Sequence, residues 1–208
     1  MKLVAVSAGL GRPSSTRLLA DRLVQAARAR LEETQPVEVR VIELRDLATD
    51  IAHALVTGFP NARLREAVDA VTGADGLIAV TPVFTASYSG LFKSFVDVLE
   101  PDALTGTPVL VAATGGTARH SLVLEHAMRP LFAYLRAVVV PTAVYAASED
   151  WGGGDTSTEG LAGRIERAGG ELAGLMTGQA AARRRPAGPA DEVAAVMPFE
   201  EQLAALRP

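Results

Sequence analysis

The 208-residue chain has a formal net charge of −4, 49% apolar residues and no cysteine, with a mean hydropathy of +0.21. That length and apolar content suit one domain with a full core. The charge argues against a general polyanion or nucleic-acid binder, leaving room for one small basic pocket, and the lack of cysteine excludes a disulfide framework and any thiolate nucleophile or metal ligand.

In chain order, Leu3-Val4-Ala5-Val6 is an apolar run without polar alternation, as expected of a central parallel strand buried on both faces. Ser14, Ser15 and Thr16 supply N-cap candidates for a helix on which Leu19, Leu23, Ala27 and Leu31 recur at four-residue spacing. Val37, Val39 and Val41 alternate with more polar neighbours, which predicts a second strand nearer an edge. Gly58-Phe59-Pro60-Asn61 breaks the pattern before a helix over about residues 62 to 72, and Gly76 to Val80 reads as the third strand. Leu91, Phe92, Phe95, Val96 and Leu99 form the apolar stripe of the next helix. Val109 to Ala113 is the fourth strand, followed by a helix with Leu124, Met128, Leu131 and Leu135. Val138 to Tyr145 is the fifth, with Pro141 favouring an edge, and a last helix carries Leu161, Ile165, Leu172 and Leu175 among several glycines. The alternation predicts a three-layer α/β sandwich with a five-stranded parallel sheet of order 2-1-3-4-5.

In such a sheet ligands bind beyond the carboxyl ends of the strands. Three loops belong there: residues 7 to 16 after strand one, Thr81-Pro82-Val83-Phe84-Thr85 after strand three, and Thr114-Gly115-Gly116-Thr117 after strand four. The first offers a helix N-terminus, the hydroxyls of Ser14, Ser15 and Thr16, and Arg12 to a phosphate monoester. The second offers Phe84 as an apolar face for a ring, with the backbone of Val83 and Thr85 at its polar edge. Glycine in the third lets backbone N–H groups approach a heterocycle's carbonyl oxygens. Together they predict a phosphorylated, planar cofactor. Gly9-Leu10-Gly11 is not a dinucleotide fingerprint, because Ser14 stands at the third glycine position, and no GxxxxGK[ST] or GxSxG occurs.

The stretches Ser7-x-Gly9-x-x-Arg12-Pro13-Ser14, Thr81 to Phe95 with Asp97, and Ala113 to Gly116 resemble the NAD(P)H-dependent FMN reductases of flavodoxin-like fold, nearest to those that supply reduced flavin to luciferase-like or alkanesulfonate monooxygenases. The resemblance covers residues 1 to 178. It implies bound FMN, with NADPH or NADH as electron donor, and a second acceptor such as free FMN. The first loop would hold the phosphate, with Ser7, Arg12, Ser14, Ser15 and Thr16 as its candidate residues. Pro82, Val83, Phe84 and Thr85 would border ribityl and ring, and Thr114, Gly115, Gly116 and His120 the pyrimidine end. Phe84 stands where many relatives carry Tyr. A flavin-dependent monooxygenase is the implied partner, and a homodimer or homotetramer the implied assembly. A quinone or azo reductase, and a flavodoxin-type electron carrier, are the alternative readings on the same scaffold.

The resemblance implies chemistry centred on the flavin, with no catalytic side chain required beyond a minor role for His120. His53, His120 and His126 lack compact metal-ligand spacing, and no metal is expected. Arg17, Arg119 and Arg129 are candidates for a 2′-phosphate, with nothing in their spacing to choose among them. Lys93 and Asp97 read as an i,i+4 pair. Trp151 to Asp155 is either a lid beside the cofactor or a surface loop. Residues 179 to 208, Ala-rich with Arg183 to Arg185, read as a mobile or docking tail after the domain at 1 to 178. No run reaches membrane-span length and no cleavage site follows Lys2, so a cytoplasmic protein without a membrane partner is expected.

Overall fold

Both sides of the first strand are covered, and this accounts for its unbroken apolar sequence. In the computed structural model, which describes residues 1–151 and 160–184 (side chains through Gly178), the strands are β1 (Lys2–Ser7), β2 (Glu38–Glu43), β3 (Gly76–Phe84), β4 (Ser87–Tyr88), β5 (Pro108–Gly115), β6 (Val138–Val139) and β7 (Val144–Ala147). The helices are α1 (Ser15–Glu32), α2 (Ala48–Thr57), α3 (Ala62–Thr72), α4 (Gly90–Val96), α5 (Arg129–Tyr134) and α6 (Leu161–Arg184). Leu3 and Ala5 join one core with Leu19 and Leu23 of α1 and Leu161, Ile165 and Leu172 of α6. Val4 and Val6 join the opposite core with Ile51 of α2, Leu64 of α3, Phe92 and Phe95 of α4 and Phe132 of α5. The period of two along a strand thus feeds two apolar layers. Residues 1 to 178 form one compact unit; the helical backbone of α6 is described to Arg184, and the rest of the expected tail lies outside the described residues.

The sheet runs β2-β1-β3-β5-β6, with β7 also on β5 and β4 on β3. All pairs are parallel except β3–β4. The expected order of the parallel strands holds, with two corrections to their number. The expected fifth strand is broken into β6 and β7, which pair with β5 at its two ends. Pro141 has no N–H to donate. The backbone between the pieces is satisfied from elsewhere: Arg129 donates to the carbonyls of Val140 at 2.9 Å and Pro141 at 2.5 Å, while Glu171 accepts from the Thr142 N–H at 2.7 Å and hydroxyl at 2.8 Å. The second correction is β4, which folds back on the end of β3 as a hairpin.

Two helices also differ from expectation. α2 occupies a stretch for which the sequence pattern gave no helix, and the helix expected around Leu124 begins as a π-helical turn, Leu124–Met128, before α5. In α6 one glycine has a packing use. A Cβ on Gly169 would sit 2.7 Å from the Cβ of Ala26 and 2.8 Å from the Ala27 nitrogen, so glycine there lets α6 lie close against α1. Among the described residues no helix is long and apolar enough to cross a membrane.

Candidate active site

The first wall is built where β1 hands the chain to α1. Ser14 is the N-cap, extended at φ −122°, and its Oγ accepts the Arg17 N–H at 3.2 Å. The first-turn N–H groups of α1 have no intrahelical acceptors, and the helix dipole makes this end positive. Thr16 is buried and its Oγ1 lies 2.8 Å from Thr114 Oγ1, tying the first turn of α1 to the end of β5. Ser7, the last residue of β1, is fully buried, and its Oγ has no hydrogen-bond partner among the described residues.

The second wall follows β3. Buried Thr81 braces it: the Oγ1 accepts the Ser89 N–H at 3.0 Å and donates to the Pro82 carbonyl at 3.0 Å. Ser89 in turn caps α4, its Oγ accepting the Phe92 N–H at 3.2 Å. Val83 pairs with Tyr88 and Phe84 with Ser87, so Thr85 and Ala86 form a two-residue turn. Their φ angles are +49° and +66°. A two-residue hairpin with both φ values positive matches the right-handed twist of its strands, but residues other than glycine are strained there. Phe84 is 47% exposed at this turn.

The third wall is the end of β5. Tyr145 on β7 donates its hydroxyl to the Thr117 carbonyl at 2.8 Å. Burial raises the Tyr145 pKa above its ordinary value, with Asp150 and Glu149 adding to the effect, so the phenol stays protonated as a donor. A Cβ on Gly115 would lie 2.0 Å from that hydroxyl, whereas one on Gly116 would have nothing within 4 Å. Gly115 therefore makes room for the strut beneath the loop, and Gly116 faces open space.

A fourth contribution comes from the turn after β7. Asp150 accepts the Ala147 N–H at 2.7 Å, and Arg164 bonds the Tyr145 carbonyl at 2.7 Å. Trp151, at the end of this turn, has the Arg22 guanidinium 5.0 Å from its ring centre, a cation–π distance.

The four segments line a single cavity of about 380 Å³. It brings together Ser14, Ser15, Thr16, Pro82, Val83, Phe84, Thr114, Gly115 and Gly116 of the sequence-predicted residues. Leu10, Gly11, Pro13 and Ser148 also line it, as does Trp151, the one described member of the expected lid-or-loop stretch; residues 152–159 lie outside the described residues. Ser7, Arg12, Thr85 and His120 are not in the lining. Arg12 has a 74% exposed side chain and sits 3.4 Å from Asp46, and His120 is exposed in the short turn Ala118–His120. Arg17 is held by Asp21 at 2.8 Å and Glu43 at 2.7 Å, and the hydrogen bond to Asp21 heads the influences that raise its pKa. Arg129 bonds Glu125 at 2.7 Å besides the two carbonyls at the strand break, and Lys93 and Asp97 form the expected pair at 2.5 Å.

This donor set fits a phosphorylated flavin. First-turn N–H groups of α1 and three hydroxyls stand at one end, Phe84, Pro82 and Trp151 supply apolar walls, and the glycine loop gives close backbone approach at the other. The volume falls within the roughly 300–1,000 Å³ range of small-ligand pockets.

The sequence matches the NADPH-dependent FMN reductase family over residues 1–152. An FMN reductase (NADPH) of Pseudomonas aeruginosa is 41% identical over 178 residues, covering 86% of this chain and 94% of the relative. The NADH-dependent FMN reductase SfnF of Pseudomonas fluorescens is 42% identical over 168 residues, covering 81% and 88%. Among solved structures, an oxidoreductase from Corynebacterium diphtheriae superimposes with a TM-score of 0.81 at 49% identity, covering 85% of this chain and 97% of that one. The fold is that of the flavodoxin-like class, and the family match makes the chain a flavin-dependent oxidoreductase. The chain belongs to the NADPH-dependent FMN reductase family.

Proposed function

We propose that this FMN reductase passes electrons from a reduced nicotinamide nucleotide to free FMN at the cavity built by the three strand-end loops, and that the reduced FMN serves a flavin-dependent monooxygenase. The observation that carries the reading is that one cavity combines a helix N-terminus, an aromatic wall and a glycine loop, with Phe84 and Leu10 47% and 53% exposed in its lining. When bound, FMN supplies the hydride-accepting and electron-donating chemistry. The protein binds, orients and leaves access. Ser14, Ser15, Thr16 and the α1 N-terminus hold the phosphate. Pro82, Val83 and Phe84 border the ring, and Gly115 and Gly116 present backbone N–H groups to its polar edge. Tyr145 keeps the glycine loop in place through Thr117.

Exposure at the cavity rim suits sequential visits by donor and acceptor to one face, which gives double-displacement kinetics. Initial-rate lines at several FMN concentrations are then parallel, and the FMN-loaded protein bleaches anaerobically on addition of nucleotide before any acceptor. Intersecting lines together with no bleaching contradict the reading. The two Pseudomonas relatives are named for different donors, NADPH and NADH, so the experiment is run with both. Free FMN as the most efficient acceptor supports a flavin reductase, and a quinone or azo dye in that place rejects it. The homo-oligomer implied by the family resemblance is part of the same proposal, and light scattering reads it.

A further inference from the structure

The loop that would hold the phosphate is itself held by a residue outside it. Arg45 lies in the turn Leu44–Leu47 that follows β2, distant in sequence from the motif residues 7 to 16. Its Nη1 donates to the Gly11 carbonyl at 2.6 Å, and Gly11 is part of the cavity lining. Nη2 lies 2.8 Å from Glu43 Oε2, and Nε lies 3.6 Å from Asp46 Oδ1, within ion-pair range but without a hydrogen-bond partner among the described residues. The side chain is only 17% exposed, against 74% for Arg12 on the loop's outer edge.

Glu43 is shared. Its Oε1 accepts from Arg17 Nη1 at 2.7 Å, and Arg17 reaches Asp21 on its own helix. The chain of charged bonds thus runs from the first turn of α1 through the end of β2 to the middle of the 8–14 loop. Three arginines (Arg12, Arg17 and Arg45) face three carboxylates (Asp21, Glu43 and Asp46), so the network adds little net charge beside the phosphate position. Its effect is geometric. A partly buried, forked guanidinium fixes two acceptors at once, which an ammonium on a flexible stem does not.

We infer that Arg45 is a positioning residue for the phosphate-binding loop. It acts through the Gly11 carbonyl and Glu43, and sets the preference for phosphorylated over unphosphorylated flavin without touching either. The inference rests on the assignment of the α1 N-terminus to the FMN phosphate. Other segments hold the ring end, so riboflavin binding is expected to be insensitive to Arg45.

The test titrates apo protein with FMN and with riboflavin, for wild type, Arg45→Met and Arg45→Lys, at low and high salt. Arg45→Met is expected to weaken FMN about tenfold, the size of one lost charged hydrogen bond, and to leave riboflavin within about twofold. Arg45→Lys, which keeps the charge but loses the fork, is expected to recover only part of the loss, and high salt leaves the ranking unchanged. Hydrogen exchange in the apo protein is expected to quicken at residues 8–13 in both variants, a readout independent of flavin. Equal losses for FMN and riboflavin, or full recovery in Arg45→Lys, overturn the positioning role in favour of a general structural or charge effect. If Arg45→Met does not fold, unchanged exchange and unchanged FMN affinity in Arg45→Lys overturn it. Equal affinity of wild type for the two flavins instead overturns the phosphate assignment beneath it.

Discussion

The two ends of the cavity are held in place by different physics. At the α1 end, order comes from side-chain chemistry: a serine cap, a buried Thr16–Thr114 hydrogen bond and a partly buried ring of ion pairs. At the hairpin end, buried Thr81 braces the strand, but Phe84 itself is presented by the backbone, in a turn whose two residues, Thr85 and Ala86, both take positive φ. The glycine loop lies between these cases, since one phenol props it from below. On the proposed function, this division suits a site that binds an anion at one end and admits successive partners at the other.

The largest expected effect separates two neighbouring glycines. Gly115→Ala drives a methyl into the Tyr145 hydroxyl, and overpacking of this kind costs about 1–3 kcal/mol; it is expected to lower the melting temperature and to release FMN on gel filtration. Gly116→Ala, with open space around the new methyl, is expected to keep the apo melting temperature and weaken FMN alone. Equal destabilisation by both changes would remove the distinction between strut and ligand face.

Ser14→Ala comes next. Loss of the cap costs about 1 kcal/mol in urea unfolding of the apo protein, and the lost hydroxyl is expected to weaken FMN more than riboflavin. Parallel weakening of the two flavins would move Ser14 out of phosphate recognition. The smallest effect lies at the hairpin: Ala86→Gly relieves a left-handed alanine but frees the unfolded chain, leaving a net stabilisation of about 0.5 kcal/mol in the same unfolding experiment. A clear destabilisation would show that the turn is not strained.

The same contrast governs what could be read from the sequence. β1 and β3 are legible because unbroken apolar runs mark strands buried on both faces, and α1 because its apolar residues recur at four-residue spacing; nine of the thirteen residues assigned to the site line one cavity because strand ends define it. β4 was not, because Thr85-Ala86 lacks the Asn-Gly or Asp-Gly signature of a two-residue turn. α2 was missed because Leu55 and Val56 are exposed while Ile51 and Ala54 are buried, which blurs the apolar stripe. The break between β6 and β7 depends on Arg129 and Glu171, partners that no window around Pro141 contains. Arg45 was invisible for the same reason. Its bond to Gly11 spans 34 positions of sequence. Trp151 could be flagged only as a lid or a surface loop; its place in the cavity wall depends on the fold and on Arg22.

The central claim is that the α1 end of the cavity addresses a phosphate, and a comparison of FMN and riboflavin affinities for the wild-type apo protein tests it most directly. Two or more charge-assisted hydrogen bonds at about 1.5 kcal/mol each predict that FMN binds at least about a hundredfold more tightly. Equal dissociation constants for the two flavins would contradict the account.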